Sequence, residues 1–133
     1  MSSAVKDVIR QVYAAVNRGD FAGLSALMAD DLVEHEELPG LEPNKEGVLQ
    51  FFRALRGAFP DLTMTADGMI AEGDMVSVRG TMSGTHRGEF MGLPASGNEI
   101  HVLFADFFRV DGGRIAEHWG VGDMAAMMEQ MGG

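Results

Sequence analysis

Four extended segments separated by glycine-containing turns occupy the second half of the chain and constrain its fold more than any other feature. They are residues 62–70, 75–85, 99–110 and 114–121. The turns between them include Glu72-Gly73-Asp74 and Asp111-Gly112-Gly113, which are typical of β-hairpins. Strands joined by such short turns run antiparallel, so this half of the chain predicts a meandering sheet.

The first part of the chain predicts a helical hairpin. Apolar residues recur at helical spacing from Ala4 to Val16, with polar residues on the other side. Gly19 follows as a stop signal, and Asp20 can cap a short second helix through Leu24, Leu27 and Met28.

A third helix is predicted after a short extended segment, residues 32–35, and a loop with two prolines, residues 36–43. Asn44 can cap this helix, which ends at Ala58 because Pro60 cannot continue it. Three helices followed by an antiparallel meander predict an α+β fold, in which the helices pack on one face of the sheet.

The composition fits one folded domain over residues 1–133, with 46% hydrophobic and 23% charged residues. A formal net charge of −10 argues against nucleic acid as a partner. The absence of cysteine excludes disulfides and thiolate chemistry. Met1 leads into polar residues, and no apolar run approaches the ~20 residues that span a bilayer, so we expect a cytoplasmic protein without a membrane partner.

The alternation in the last hairpin predicts which side chains share a face of the sheet. If Gly112-Gly113 forms the turn, Phe108 lies opposite Glu117; if Asp111-Gly112 forms it, Phe108 lies opposite Ile115. Both registers predict the same inner face: Val102, Phe104, Asp106, Phe108, Ile115, Glu117, Trp119, Val121 and Asp123.

Three acids lie on this predicted inner face: Asp106, Glu117 and Asp123. A carboxylate held against aromatic rings is costly to ionise, so its pKa rises towards the range that suits proton transfer. The structural alternatives are that Asp106 and Glu117 pair with Arg79 or another base, and that Asp123 only caps a C-terminal helix beginning at Met124.

The four histidines differ in their predicted roles. His35 precedes the proline-containing loop, where it either projects over a pocket as an acid, base or hydrogen-bond donor or lies at the surface. His86 either contributes to the pocket or fixes a turn, whereas His101 and His118 fall on the opposite face. Because neither an HExxH helix nor a histidine–acid cluster at ligand spacing occurs, we predict no metal site.

Motifs spread over nearly the whole chain indicate a family. They are residues 13–21 (YAAVNRGDF), 28–31 (MADD), His35, 58–61 (AFPD), 72–74 (EGD), 84–90 (GTHRGEF), 92–94 (GLP) and 113–119 (GRIAEHW), followed by Asp123. In these motifs the chain resembles the SnoaL-like polyketide cyclases of the nuclear-transport-factor-2-like superfamily. The resemblance implies a cone-shaped α+β barrel, with N-terminal helices on a strongly curved antiparallel sheet that encloses a pocket. It also implies a homodimer, formed through the sheet, that needs neither cofactor nor metal.

The resemblance also implies a chemistry, in which an aspartate near the end of the last long strand is the general acid–base of an intramolecular aldol ring closure. Asp123 is the matching position. We therefore expect Asp123 to take a proton α to a carbonyl of a bulky, apolar or aromatic substrate, and His35 or Asp106 to polarise or reprotonate an oxygen. The residues expected to line the substrate pocket are Glu117, Trp119, Phe104, Phe51, Phe52, Arg79, His86 and Val121.

Two other functions remain open at this stage. One is a hydrolase or isomerase that activates water, as in limonene epoxide hydrolase, through Asp106, Asp123 and an inward-facing Arg79. The other is a protein that binds an apolar ligand without turnover, which the methionine-rich C-terminal segment also fits.

Overall fold

The computed structural model describes residues 2–132 and has the predicted α+β architecture. The elements are α1 (Ser2–Arg18), α2 (Phe21–Ala26), β1 (Met28–Glu34), α3 (Lys45–Ala58), β2 (Thr63–Glu72), β3 (Met75–Thr85), β4 (Glu99–Asp111), β5 (Arg114–Gly122) and α4 (Met124–Gln130). The helices α1 and α3 pack against β2 and β1, respectively. The predicted cone-like fold class is therefore confirmed.

The predicted helix caps are confirmed. The side chain of Asp20 accepts a hydrogen bond from the Gly23 N–H at 2.8 Å, and Asn44 accepts one from the Gly47 N–H at 3.0 Å. The second helix is shorter than predicted, because Met28 already belongs to β1 and pairs with Ile115. A local helical pattern is here overridden by strand pairing with a distant part of the chain.

The sheet has the strand order β1-β5-β4-β3-β2. Strands β2 to β5 form the predicted antiparallel meander. Strand β1 joins the sheet at its edge and runs parallel to β5, so the sheet is mixed rather than purely antiparallel. The sequence predicted only a short extended segment in this region.

A β-bulge in the last hairpin decides which side chains face inward. Gly112 and Gly113 have φ values of +59° and +80° and form the turn. Val110 pairs with Ile115, but Arg109 pairs with Glu117, which leaves Ala116 as an extra residue in β5. Since successive side chains alternate between the faces, one extra residue exchanges the faces for the rest of the strand.

The concave face of the sheet carries the apolar core, which includes Val76, Val78, Ile100, Val102 and Phe108. Gly80 in β3 lies opposite Phe104, and a Cβ atom at residue 80 would overlap the Phe104 ring. This glycine therefore allows a large aromatic side chain to lie flat against the sheet. Within residues 2–132, no helix is both long and apolar enough to cross a membrane.

Candidate active site

A cavity of about 380 Å³ lies between the helices and the concave face of the sheet. Its wall is mostly apolar, and its aromatic and methionine members are Tyr13, Phe51, Phe52, Phe90, Phe104, Phe108, Met28, Met64, Met82, Met91, Met124, Met127 and Met128. Its ionisable lining residues are Tyr13, Glu34, Glu36, Glu37, Asp106 and His118. The volume lies within the usual range of small-molecule sites.

Four of these polar residues form a continuous hydrogen-bond chain. The Tyr13 hydroxyl donates to Asp106 Oδ2 at 2.5 Å, and His118 Nε2 lies 2.9 Å from Asp106 Oδ1. On the other side of the imidazole ring, Nδ1 lies 2.7 Å from Glu34 Oε2. The hydrogen-bond chain links α1, β4, β5 and β1. Each of its four side chains is therefore held in place both by its own element and by its hydrogen-bond partners.

His118 lies between two carboxylates, Asp106 and Glu34. Burial would lower the pKa of His118, but the hydrogen bonds and negative charges of these carboxylates outweigh that effect and raise its pKa to about 10. The ring is therefore an imidazolium at neutral pH, and both of its N–H groups donate. Burial, together with the charge of Asp106, also holds the pKa of Tyr13 far above its usual range, so the hydroxyl stays a neutral donor.

Glu36 brings a further carboxylate over this chain from the loop after β1. A Cβ atom at Gly120 would overlap Glu36 Oε1 and would lie 3.0 Å from Asp106 Oδ1, so the two carboxylates approach each other above this glycine. Burial raises the pKa of Glu36; the positive charge of His118 opposes the shift, and the negative charges of Asp106 and Glu34 add to it. Its backbone N–H donates to Glu34 Oε2 at 3.0 Å, which fixes the start of the loop.

Glu34, Glu36 and His118 each offer a ligand atom within 4.8 Å of the others, a spacing at which three ligands can share a metal ion. Both ring nitrogens of His118 are already engaged by the carboxylates of Glu34 and Asp106. In this arrangement the ring directs no free nitrogen towards a cation shared with Glu34 and Glu36.

The bulge at Ala116 overturns the predicted inner face of β5. Phe108 lies opposite His118, not opposite Glu117 or Ile115. The inward positions beyond the bulge are His118, Gly120 and Gly122, which lie opposite Phe108, Asp106 and Phe104. The prediction that Glu117 and Trp119 share a face with Asp106 was wrong, and so was the outward assignment of His118. Ile115, which precedes the bulge, faces inward as predicted.

Glu117 belongs to a separate cluster that does not line the cavity. Its Oε2 lies 2.8 Å from His35 Nε2, and its Oε1 accepts a hydrogen bond from Arg109 Nε at 2.6 Å. The His35 ring stacks on Trp119, with 4.7 Å between the ring centroids. Hydrogen bonds from His35 and Arg109 lower the pKa of Glu117. The predicted placement of His35 over the pocket is corrected, because stacking on Trp119 and the contact with Glu117 hold its ring away from the cavity.

Asp123 is the N-cap of the C-terminal helix, as the structural alternative predicted. Its side chain is exposed and accepts a hydrogen bond from the Ala126 N–H at 3.0 Å, so it caps α4. The residue does not line the cavity, because the face exchange at Ala116 and the start of the helix turn it away. The prediction that Asp123 shares the inner face with Asp106 was therefore wrong.

The other predicted pocket residues divide into two groups. Phe51, Phe52, Phe104 and Asp106 line the cavity as predicted, and the exposed Val121 lies at its edge. Arg79 is exposed on the outer face of β3, where it lies over Gly68. His86 is fully buried outside the cavity; its Nδ1 lies 2.9 Å from Ser96 Oγ, and its Nε2 has no hydrogen-bond partner.

Sequence reasoning missed Tyr13, Glu34, Glu36 and His118. Tyr13 belongs to the apolar stripe of α1 and was indistinguishable from a core residue. Glu34 lies two residues after the buried Leu32 and therefore on the same face of the strand. This signal would have placed Glu34 inward if residues 28–34 had been recognised as a full strand. The orientation of Glu36 depends on the absence of a side chain at Gly120, which lies far away in the sequence.

A curved sheet that closes with helices around an apolar cavity is the architecture of the nuclear-transport-factor-2-like fold. Within this class, the chain belongs to the SnoaL-like polyketide cyclase family, whose model matches residues 6–131. No curated protein matches the chain.

Several solved structures are similar over almost their whole length. IdmH from Streptomyces antibioticus, a proposed polyketide cyclase, is 35% identical with a TM-score of 0.85, covering 97% of this chain and 99% of that chain. TsrD from Streptomyces laurentii is 30% identical with a TM-score of 0.88, covering 99% and 97%. AclR from Streptomyces galilaeus, a proposed hydroxylase, is 29% identical with a TM-score of 0.90, covering 99% and 98%.

Proposed function

We propose that this protein catalyses a cofactor-independent ring closure of a polyketide-like substrate by acid–base chemistry in the cavity. The observation that carries the proposal is the carboxylate of Glu36, which faces an apolar cavity beside the His118 imidazolium and has a raised pKa. A carboxylate of this kind is a stronger base than an exposed one and can also return the proton. The membership of the SnoaL-like polyketide cyclase family supports the proposal.

The proposed reaction is an intramolecular aldol addition. Glu36 takes a proton from the carbon α to a substrate carbonyl, and the C–H electron pair forms an enolate. The enolate carbon attacks a second carbonyl of the same molecule, which forms the ring C–C bond and leaves an alkoxide. Glu36 returns the proton to that alkoxide, so no electron acceptor and no second substrate are consumed.

His118 supplies the positive charge that this sequence needs. Negative charge moves from Glu36 to the enolate oxygen and then to the alkoxide. The His118 imidazolium offsets this charge through its ring, since its two N–H groups already donate to Glu34 and Asp106. Asp106 and Glu34 hold the ring in place and keep it protonated. The role first assigned to Asp123 thus passes to Glu36, and Asp106 retains a role as the partner that orients His118.

The cavity wall supports a bulky, apolar or aromatic substrate. Phenyl rings and methionine side chains surround the space, and methionine sulfur makes favourable contacts with aromatic rings. Water activation in the epoxide-hydrolase manner has less support, because no arginine among residues 2–132 lines the cavity. Arg79, on which that alternative depended, is exposed to solvent on the outer face.

The proton-abstraction step is testable without the natural substrate. The ketone 2-tetralone is incubated with the protein in D₂O, and exchange of its α-protons is followed by NMR. We expect the protein to accelerate exchange, and we expect Glu36→Gln and Asp106→Asn to abolish most of the acceleration. Asp123→Asn and His35→Gln serve as matched controls and should retain it, provided that circular dichroism shows all variants to be folded.

Two results would count against this proposal. Loss of exchange in Asp123→Asn, with full exchange in Glu36→Gln, would show that Asp123 is the base, as the family pattern suggested. Binding of 2-tetralone, seen as a fluorescence change or an increase in melting temperature, without exchange at any pH would favour a non-catalytic ligand-binding protein.

We also propose that two copies associate through the outer face of the sheet. Leu103, Phe107 and Val121 are exposed there, Phe107 pairs with Trp119 across the strands, and Ala105 pairs with Val121. Large apolar side chains exposed on one sheet face are typical of an interface. Light scattering should give the mass of a dimer, and Leu103→Glu should shift it to a monomer; a wild-type monomer at micromolar concentration would contradict the proposal.

A further inference from the structure

The mouth of the cavity can be recognised from residues that line it and are also exposed. We call this set the mouth residues: Glu37, Pro39, Met91, Val121, Gly122 and Met124. They come from the loop after β1, from the connection between β3 and β4, and from the junction of β5 with α4. A ligand that enters or leaves the cavity must pass between these three segments.

Met91 differs from the other mouth residues in its backbone conformation. Its φ is +51°, and within residues 2–132 it is the one non-glycine residue with a positive φ. Together with Gly92, at φ +83°, it forms a two-residue turn closed by reciprocal hydrogen bonds of 3.0 Å between Phe90 and Leu93. Such a turn favours Asn or Gly at the first position, because a larger side chain crowds the backbone there.

The turn that carries Met91 is fixed to the rest of the molecule. Phe90 is buried and makes edge contacts with the rings of Phe51 and Phe59. The preceding backbone N–H groups of Arg87 and Gly88 both donate to the Ala58 carbonyl, at 2.9 and 3.1 Å.

The tip of the turn is also fixed, because the Glu89 carboxylate accepts a hydrogen bond from the Gly92 N–H at 2.9 Å. A residue in a disfavoured conformation persists only when its surroundings determine it in this way. Here they determine that the Met91 side chain lies over the cavity mouth.

We propose that Met91 is a specificity-determining residue that restricts the width of the ligands the cavity accepts and slows their release. Its thioether side chain is half exposed and half in contact with the cavity, so it covers part of the opening. Glycine or asparagine would suit the backbone better but would leave that part open. The proposal uses the cavity of the proposed function but does not depend on the acid–base step.

The test measures ligand passage directly, with 1-anilinonaphthalene-8-sulfonate as a fluorescent probe in stopped-flow binding and release. Met91→Ala removes most of the side chain but leaves a non-glycine residue in the disfavoured backbone conformation. Met91→Gly removes the side chain and also relieves the backbone strain. We expect the release rate to rise on the order of tenfold in both variants, which corresponds to losing about half of a buried apolar side-chain contact. Met91→Gly, but not Met91→Ala, should also raise the melting temperature.

Met75→Ala is the matched control, because Met75 is similarly exposed but does not line the cavity; its release rate should equal that of the wild type. A probe that binds Met91→Ala but not the wild type would also support the proposal. Unchanged release in Met91→Ala would overturn it, as would faster release in Met91→Gly alone, since that result would assign the effect to the backbone. Failure of probe binding in every variant would overturn it for ligands of this width. Proton exchange of 2-tetralone is a separate readout, so this outcome can be distinguished from failure of the proposed reaction.

Discussion

The Glu36 carboxylate occupies the space that a side chain on residue 120 would need, so Gly120 and Glu36 are complementary across the cavity wall. Gly120 lies opposite Asp106 in the sheet, and this brings the loop carboxylate next to the hydrogen-bond chain. The position of the proposed base therefore depends on a glycine more than eighty residues away in the chain.

Gly120→Ala should displace Glu36 and reduce proton exchange to near the level of Glu36→Gln. Gly57→Ala is the matched control, because a Cβ there has no neighbour within 4 Å and Gly57 does not line the cavity. The measurement is 2-tetralone exchange in D₂O, together with the melting temperature of each variant. Equal exchange in the two alanine variants would show that Glu36 is not held by this contact.

The charge of His118 should make stability depend on pH in the alkaline range. Its pKa is raised from 6.5 to about 10 in the folded protein, so the stabilisation is complete below pH 6.5 and is lost as the pH rises through 10. The free energy of unfolding should fall by up to ~1.4 kcal/mol per pH unit over this window. Urea titrations at several pH values measure the free energy of unfolding. His118→Gln should abolish the alkaline pH dependence of stability but keep the pH dependence that comes from Glu36.

The proton exchange activity should itself have a bell-shaped pH profile. The rate should rise as Glu36 ionises, at a pH above the usual range of a glutamate because its pKa is raised. It should fall as the pH passes about 10, where His118 loses its proton. A rate that still rises above pH 10 would exclude the imidazolium from the reaction.

Tyr13→Phe should destabilise the fold although it removes a single oxygen atom. The Tyr13 hydroxyl donates to the buried Asp106 carboxylate, and a buried acceptor left without its donor costs about 1–3 kcal/mol. Chemical denaturation compares the two proteins directly. A loss below ~0.5 kcal/mol would mean that solvent in the cavity replaces the hydroxyl.

Asp123 should matter for stability rather than for turnover. Asp123→Ala removes the cap of α4 and should cost about 1 kcal/mol, whereas Asp123→Asn keeps an acceptor and should cost only a few tenths. Both variants should retain proton exchange. Thermal unfolding and the exchange assay together separate the capping role from a catalytic one.

Features with local causes were predictable from the sequence. The caps at Asp20 and Asn44 and the end of α3 before Pro60 depend on neighbouring residues and were predicted in place. The last hairpin turn was predicted within residues 111–113, with two registers left open. The face of β5 was not predictable in this way. Ala116 has no side-chain property that marks a bulge, and the correct turn register alone gave the wrong face.

The members of the hydrogen-bond chain were hidden for a different reason. Tyr13, Glu34, Asp106 and His118 come from four elements, and only the parallel pairing of β1 with β5 brings Glu34 to His118. Single-chain periodicity places Asp106 on the concave face but cannot show which partners reach it. The candidate site is thus a product of long-range pairing, whereas its apolar wall follows from local patterns.

The extra residue at position 116 has a consequence for how this hairpin can change over evolution. Because Ala116 has no partner in β4, deleting it would leave Arg109 opposite Glu117 and Phe108 opposite His118, so His118 would still face the cavity. Inserting one paired residue between Ala116 and Glu117 would instead place His118 opposite Phe107 and turn its ring out of the cavity. A single insertion in this strand is therefore a route by which a homologue loses the acid–histidine partnership in one step.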